Sequence, residues 1–419
     1  MSSIATRISS LHAGSARLLA LPTGIRDVVS FRGSFLSAPD LRADEDVMQS
    51  LVTDLLDKGS QTRDRFEIAD LLDGRGARLY FFSDGLRLGF AGRCLRDDLG
   101  DVLDLASELL RQPAFDADEV EKARQKAIAS VRRSTESTSS RASGAYTRRL
   151  YDEAHPNHAL RPETEIARLA EATPEAIRAY HAAHLGSDGL TIVAVGDVDP
   201  DGLAARVGDA FGAWAPHGRE AVFSASASPE PPGREHVPML DKLNLDVRMG
   251  HAIALRRASE DFLPLYAGVF ALGGNFSSRL MQTVRDEQGL TYGVSARLSG
   301  IAIEHDMDFR VSVSLSQDNL ERGIQATREQ IVRWAADGIT PDELARVQTT
   351  LTGKHVVGLA TTGALATRLL INAERDFGAD YLDVYPDEVR ALTAEQVNRA
   401  LSRWISPEKL HVVTAGTQA

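Results

Sequence analysis

Arg285 and Tyr292 stand seven residues apart in VRDEQGLTYGV. They combine a planar, permanently charged fork of donors with a neutral phenolic donor. By residue type, such a pair can grip a carbonyl or carboxylate and place an uncharged O–H beside developing negative charge. Taken alone, Arg-x6-Tyr equally describes a surface charge followed by a core aromatic. Among the 11 histidines, His155/His158 and His181/His184 lie three residues apart, and neither pair frames a glutamate. His155 precedes Pro156, which disfavours a helix there, whereas His181 and His184 fall near a helix end where one face can point toward a metal. A catalytic zinc needs three ligands and an open position, so both pairs are expected to be structural. Gly273-Gly274 belongs to neither G-x-x-x-x-G-K-[ST] nor G-x-G-x-x-G, which argues against a nucleotide site. The glycines are expected to permit a sharp turn, with Ser277 or Ser278 capping a helix that starts at Arg279 and presents Arg285. Cys94 is the only cysteine; it excludes an internal disulfide framework and is expected to be a small buried hydrophobe.

The elements that position these residues occur twice. ATPEAIRAYHAAHLGSDGLTIVAVGDV, from Ala172, is matched by LTAEQVNRALSRWISPEKLHVVTAGT, from Leu392. Thr173 pairs with Thr393, Glu175 with Glu395, Leu190 with Leu410 and Gly196 with Gly416, at one constant spacing. Each copy reads as a capping threonine, an amphipathic helix, a turn and a β-branched strand ended by glycine. Upstream, FDADEVEKARQKAIASV resembles ITPDELARVQTTLTGKHV, with Asp118-Glu119 against Asp342-Glu343. RLYFFS, LRLGFAGRC, YGVSARL and DFRVSVSL read as earlier strands of the two halves. The expected fold class is α+β: two homologous α/β-sandwich halves, each a mostly antiparallel sheet packed with helices. The expected domains are 1–214 and 239–419, joined by a linker at 215–238 that contains SASASPEPPG.

Composition sets the outer bounds. The chain has 43% hydrophobic and 25% charged residues, as globular domains do, and no apolar run long enough to span a bilayer. Arg132 and Arg133, followed by STESTSS, read as the solvated end of a helix. A net charge of -12 without a basic block argues against nucleic acid as a partner. The N-terminal segment shows no continuous apolar h-region, so a cytoplasmic location is expected.

The segment LDVRMGHAIALRRASEDFLPLYAGVFALGGNFSSRLMQTVRDEQGLTYGVSARL, residues 245–298, resembles the C-terminal domain of pitrilysin/insulinase-family zinc peptidases, including processing peptidases. Weaker similarity extends over KGS at Lys58, HPNHALRPETEI at His155 and LTIVAVGDV at Leu190. The resemblance implies a zinc site in the first half, built from an inverted H-x-x-E-H helix and a downstream glutamate. With KGS as anchor, that motif falls on Ser50, Leu51, Val52, Thr53 and Asp54, and the further glutamate falls near Ser130. Both histidines and the base are therefore replaced.

The same resemblance makes Arg285 and Tyr292 the substrate-binding pair, with Tyr292 aimed at the oxyanion of peptide hydrolysis. It implies a non-catalytic subunit that binds no cofactor of its own and forms a heterodimer with a homologous H-x-x-E-H subunit holding the zinc. The expected substrate is a peptide, and the chain is not expected to be active alone. The alternative is an inert structural protein on the same fold, as the core subunits of the cytochrome bc1 complex are.

Overall fold

The computed structural model describes residues 3–38, 43–83, 85–220, 227, 231–300 and 306–418. In chain order the strands are β1 (Ser9–Ala13), β2 (Ala16–Pro22), β3 (Val28–Leu36), β4 (Arg78–Ser83), β5 (Arg87–Leu95), β6 (Thr191–Gly196), β7 (Arg234–Pro238), β8 (Asn244–Ile253), β9 (Thr291–Ser299), β10 (Met307–Ser316) and β11 (His411–Gly416). One sheet has the order β1-β2-β6-β3-β5-β4, the other β7-β11-β8-β10-β9. Each contains one parallel pair, β2 with β6 and β7 with β11, and is otherwise antiparallel. The expected α+β class is therefore found.

The repeat is visible in atomic detail. Thr173 caps the Pro174–His184 helix by accepting from the Ala176 N–H, and Thr393 caps Ala394–Trp404 by accepting from Gln396. β6 and β11 are buried along their whole length, as strands flanked on both sides must be. The glycines that end them, Gly196 and Gly416, both have positive φ, 138° and 147°.

Contacts divide the chain differently from its sequence halves. One unit comprises residues 1–128, 167–222 and 354–387; the other comprises 129–166, 223–353 and 388–419. Each unit thus takes a helix from the opposite half. The Thr362–Glu374 helix lays Ala366, Leu369 and Leu370 on Leu19, Leu21, Val193 and Val195 of the first sheet. The Thr138–Leu150 helix lays Ala142, Ala145, Tyr146 and Leu150 on Val237, Val413 and Ala415 of the second. Each fully buried leucine contributes about 1.5–3 kcal/mol, so either helix is firmly held. Polar contacts fix the register of both. Ser34 Oγ donates to Glu374 at 2.5 Å in the first unit, and the Tyr146 hydroxyl donates to the Phe309 carbonyl at 2.9 Å in the second.

The linker expected over 215–238 needs correction at its end. Arg234–Pro238 is a strand at the edge of the second sheet, parallel to β11, with Val237 buried. Pro238, which has no N–H, is tolerated at this sheet edge. At the linker's start, the His217 and Arg219 amides donate to Asp188 at 2.8 and 2.7 Å. Most of SASASPEPPG lies outside the described residues. Cys94 is buried in β5, as expected, and burial with the nearby Asp98 charge pushes its thiol up to about 12. Among the described residues no single helix is long and apolar enough to cross a membrane.

Candidate substrate-binding site

The loop before Arg285 begins where the Phe262–Gly273 helix meets β9. A Cβ on Gly273 would lie 2.2 Å from the Ala296 nitrogen, so only glycine allows this approach. The Asn275 side chain then takes the turn-capping role expected of a serine, accepting from the Ser277 amide at 3.1 Å, while Ser278 Oγ donates to the Asn275 carbonyl at 2.6 Å. The segment from Met281 to Glu287, expected as an ordinary helix, is wound as a π-helix and carries Arg285. Arg279 anchors the start of this element through a two-point contact with Glu343, at 3.0 and 2.8 Å. Burial pushes the Glu343 carboxyl up, but the Arg279 and Thr340 hydrogen bonds and the Arg279 charge outweigh it and hold the group below its ordinary value.

Tyr292 is placed by a bulge. Val294 faces Val313 and Thr291 faces Leu315, so Tyr292 and Gly293 together oppose the single residue Ser314. Buried Thr291 fills the irregularity: its hydroxyl donates to the Ser314 carbonyl at 2.5 Å and accepts from the Gly293 amide at 3.1 Å. Tyr292 is consequently 97% exposed, which removes the core-aromatic explanation. Its hydroxyl makes no hydrogen bond among the described residues. Arg285 and Tyr292 do come together, although through the backbone. Arg285 Nε donates to the Tyr292 carbonyl at 3.1 Å and Nη1 to Asp286 at 2.7 Å. The guanidinium also lies 6.0 Å from the ring of Phe276, itself 78% exposed.

Tyr292 borders a cavity of about 520 Å³ whose lining includes Gly274, Phe276, Ser139, Asp246, Arg248 and Arg297. The charged floor, Asp246 and Arg248, is not among the residues expected from the sequence. Arg248 is only 4% exposed; it contacts Asp246 at 3.4 Å and Ser143 Oγ at 2.9 Å, and binds Ser139 through both the carbonyl and the hydroxyl. Asp246 in turn accepts from Thr138 Oγ1 at 2.7 Å. The signal was present in LDVRMG, where two opposite charges sit two residues apart on one face of an otherwise apolar strand. The cavity thus combines apolar walls, an exposed phenol, and one buried cation with its counter-charge, features suited to an extended polar chain.

Ser50, Thr53 and Asp54 lie on the Ala43–Leu55 helix of the first unit. Ser50 and Asp54 are exposed, and buried Thr53 donates to the Gln49 carbonyl at 2.7 Å. Ser130 is exposed on the Ala117–Thr135 helix. Two serine hydroxyls, a threonine and one carboxylate do not make the nitrogen- and carboxylate-rich donor set of a catalytic zinc. Among the described residues no group of three or more His, Cys, Asp or Glu side chains can hold a metal ion. The histidine pairs have other tasks. The His155 ring accepts from the Asn157 amide and stacks on Tyr151, while His158 Nδ1 meets the Tyr151 carbonyl at 2.9 Å. His181 bonds the Leu110 carbonyl at 2.7 Å and His184 the Ser37 carbonyl at 3.1 Å.

Known proteins match this arrangement over nearly all its length. A family model of insulinase, peptidase family M16, matches residues 50–163, and one of the peptidase M16 inactive domain matches residues 171–351. A Streptomyces coelicolor protein described as an uncharacterized zinc protease is 26% identical over 419 residues, 92% of this chain and 88% of its own. The solved peptidase M16 inactive domain from Pseudomonas fluorescens has a TM-score of 0.86 at 20% identity and covers 98% of each chain. The periplasmic protease PqqL from Escherichia coli has a TM-score of 0.82 at 14% identity, covering 100% of this chain and 46% of its own.

Proposed function

The chain belongs to the insulinase (M16) peptidase family, and from that premise we propose that it is the substrate-binding subunit of a two-chain zinc endopeptidase, with the metal held by a homologous H-x-x-E-H partner. One observation carries this reading: Tyr292 is 97% exposed, set outward by a buttressed bulge on a sheet-edge strand, beside a cavity of about 520 Å³. A chain serving only as a scaffold has no chemical need to hold a phenol in this way.

Peptide hydrolysis passes through a tetrahedral oxyanion, and a donor that acts on that charge accelerates the reaction more than one that binds substrate and transition state alike. Tyr292 O–H is that donor in this reading. Arg285 spends Nε on holding the Tyr292 carbonyl and Nη1 on Asp286, so it positions Tyr292 and has Nη2 to offer a substrate carbonyl or terminal carboxylate. The partner brings the zinc and the general base, which Ser50, Thr53, Asp54 and Ser130 cannot replace. A single protease chain of about twice this length, as in the Escherichia coli match, supports the idea that two such modules work together.

The test is complementation. This chain and a purified H-x-x-E-H family chain are assayed, separately and mixed, on a fluorogenic peptide with zinc present. Cleavage that requires the mixture supports the proposal. An inactive mixture, or chelator-sensitive cleavage by this chain alone, sinks it.

A further inference from the structure

The first unit contains a cavity built on the same scaffold as the one beside Tyr292, but without its carboxylate. In the second unit Thr138 holds Asp246 and Ser143 holds Arg248. In the first, Thr362 bonds Ser30 at 2.8 Å, and Thr367, five residues on, accepts from Arg32 at 3.2 Å. Ser30 and Arg32 thus occupy the places of Asp246 and Arg248, and a hydroxyl stands where the counter-charge should be. We propose that this cavity, of about 460 Å³, binds a ligand carrying two or more carboxylate or phosphate groups.

Three guanidinium groups line it: Arg32, Arg78 and Arg93. None makes an ion pair with a carboxylate among the described residues. Arg78 and Arg93 are cross-strand partners in the β4–β5 register, where like charges destabilise one another. Arg32 donates to the Tyr80 hydroxyl as well as to Thr367, and lies 4.5 Å over the Phe82 ring. Its Nε is buried without a hydrogen-bond partner, an uncompensated cost unless an acceptor arrives. The 13-residue Thr362–Glu374 helix points its N-terminus at the same space through Thr361, Thr362, Gly363 and Ala364. Gly363 leaves room there, since a Cβ would meet only Ser30 Oγ, at 4.0 Å.

Three uncompensated positive charges and a helix N-terminus are best matched by a dianion or trianion, because a single carboxylate would leave most of the field unbalanced. Arginine forks suit carboxylate and phosphate oxygens equally well. The source is either a free small anion or an acidic stretch of peptide.

Calorimetric titration of the full chain at low ionic strength separates them, with pyrophosphate, tri-glutamate and tri-alanine as probes. One equivalent of pyrophosphate or tri-glutamate should bind, and tri-alanine should not. The tighter of the two anions identifies the source. Ser30→Asp, which installs the second unit's counter-charge, and Arg93→Gln, at an exposed position, should each weaken binding at least tenfold with the melting temperature preserved. Arg297→Gln, in the other cavity, should leave binding unchanged. Absence of heat with both anions overturns the proposal. So does binding that is indifferent to Ser30→Asp and Arg93→Gln.

Discussion

At the edge of the second sheet β9 bulges against β10 and sets Tyr292 outward, whereas at the corresponding edge of the first sheet β4 and β5 keep an unshifted register from Arg78↔Arg93 to Ser83↔Leu88. Both sheets are covered by a helix from the other half of the chain, with Ala366, Leu369 and Leu370 on Val193 and Val195 in one and Ala142, Ala145 and Tyr146 on Val413 and Ala415 in the other. The scaffold is thus shared, and the local chemistry differs. A bulge and an Asp–Arg pair create a cavity beside a phenol in which the buried arginine has its own counter-charge. A straight edge and a serine create a cavity with net positive charge. The repeat retains backbone geometry because buried apolar contacts constrain it, while side chains lining solvent-filled space vary at little cost to the fold.

Exchanging the distinguishing residues breaks the contrast most severely. Asp246→Ser leaves Arg248 buried beside no carboxylate and should cost about 3 kcal/mol in urea unfolding. It should also confer on the second cavity the pyrophosphate binding proposed for the first. Gly273→Ala comes next, because its Cβ would collide with Ala296 of β9. A loss of about 1–3 kcal/mol is expected, with reduced activity of the paired enzyme as Tyr292 shifts. An unchanged melting temperature would show that the close approach to Ala296 is not a constraint.

The smallest effect concerns the Arg279–Glu343 anchor. Glu343→Gln should cost about 1 kcal/mol at neutral pH. Because the folded-state carboxyl lies below its ordinary value of 4.5, this stabilisation is present above that pH and disappears as pH falls through the folded value. Denaturation curves of the two proteins should therefore converge in acid. A difference that persists there would assign the effect to packing.

Much of this was legible in the sequence for identifiable reasons. TIVAVG and HVVTAG are buried on both faces, so their apolar character is continuous, and Thr173 and Thr393 cap helices by a local hydrogen bond that needs no tertiary knowledge. The helix exchange was not legible, since the apolar stripe of Thr138–Leu150 states that it must cover a sheet without stating which. The bulge was hidden because TYGVSARL alternates like any strand; its register is set by Ser314 in another strand. Arg285 and Tyr292 were found as a pair, but not their backbone link through the Tyr292 carbonyl. The arginines at 32, 78 and 93 are scattered in the chain and meet only because β3, β4 and β5 are neighbours.

In the proposed pairing, this chain lends its phenol to chemistry performed with a partner's zinc. Steady-state kinetics of Tyr292→Phe in the mixed enzyme isolate that contribution, since the substitution removes one O–H and little else. The expected result is a fall in kcat of about 10²–10³ with KM changed far less, as for removal of an oxyanion donor. An unchanged kcat, or a loss confined to KM, would contradict it.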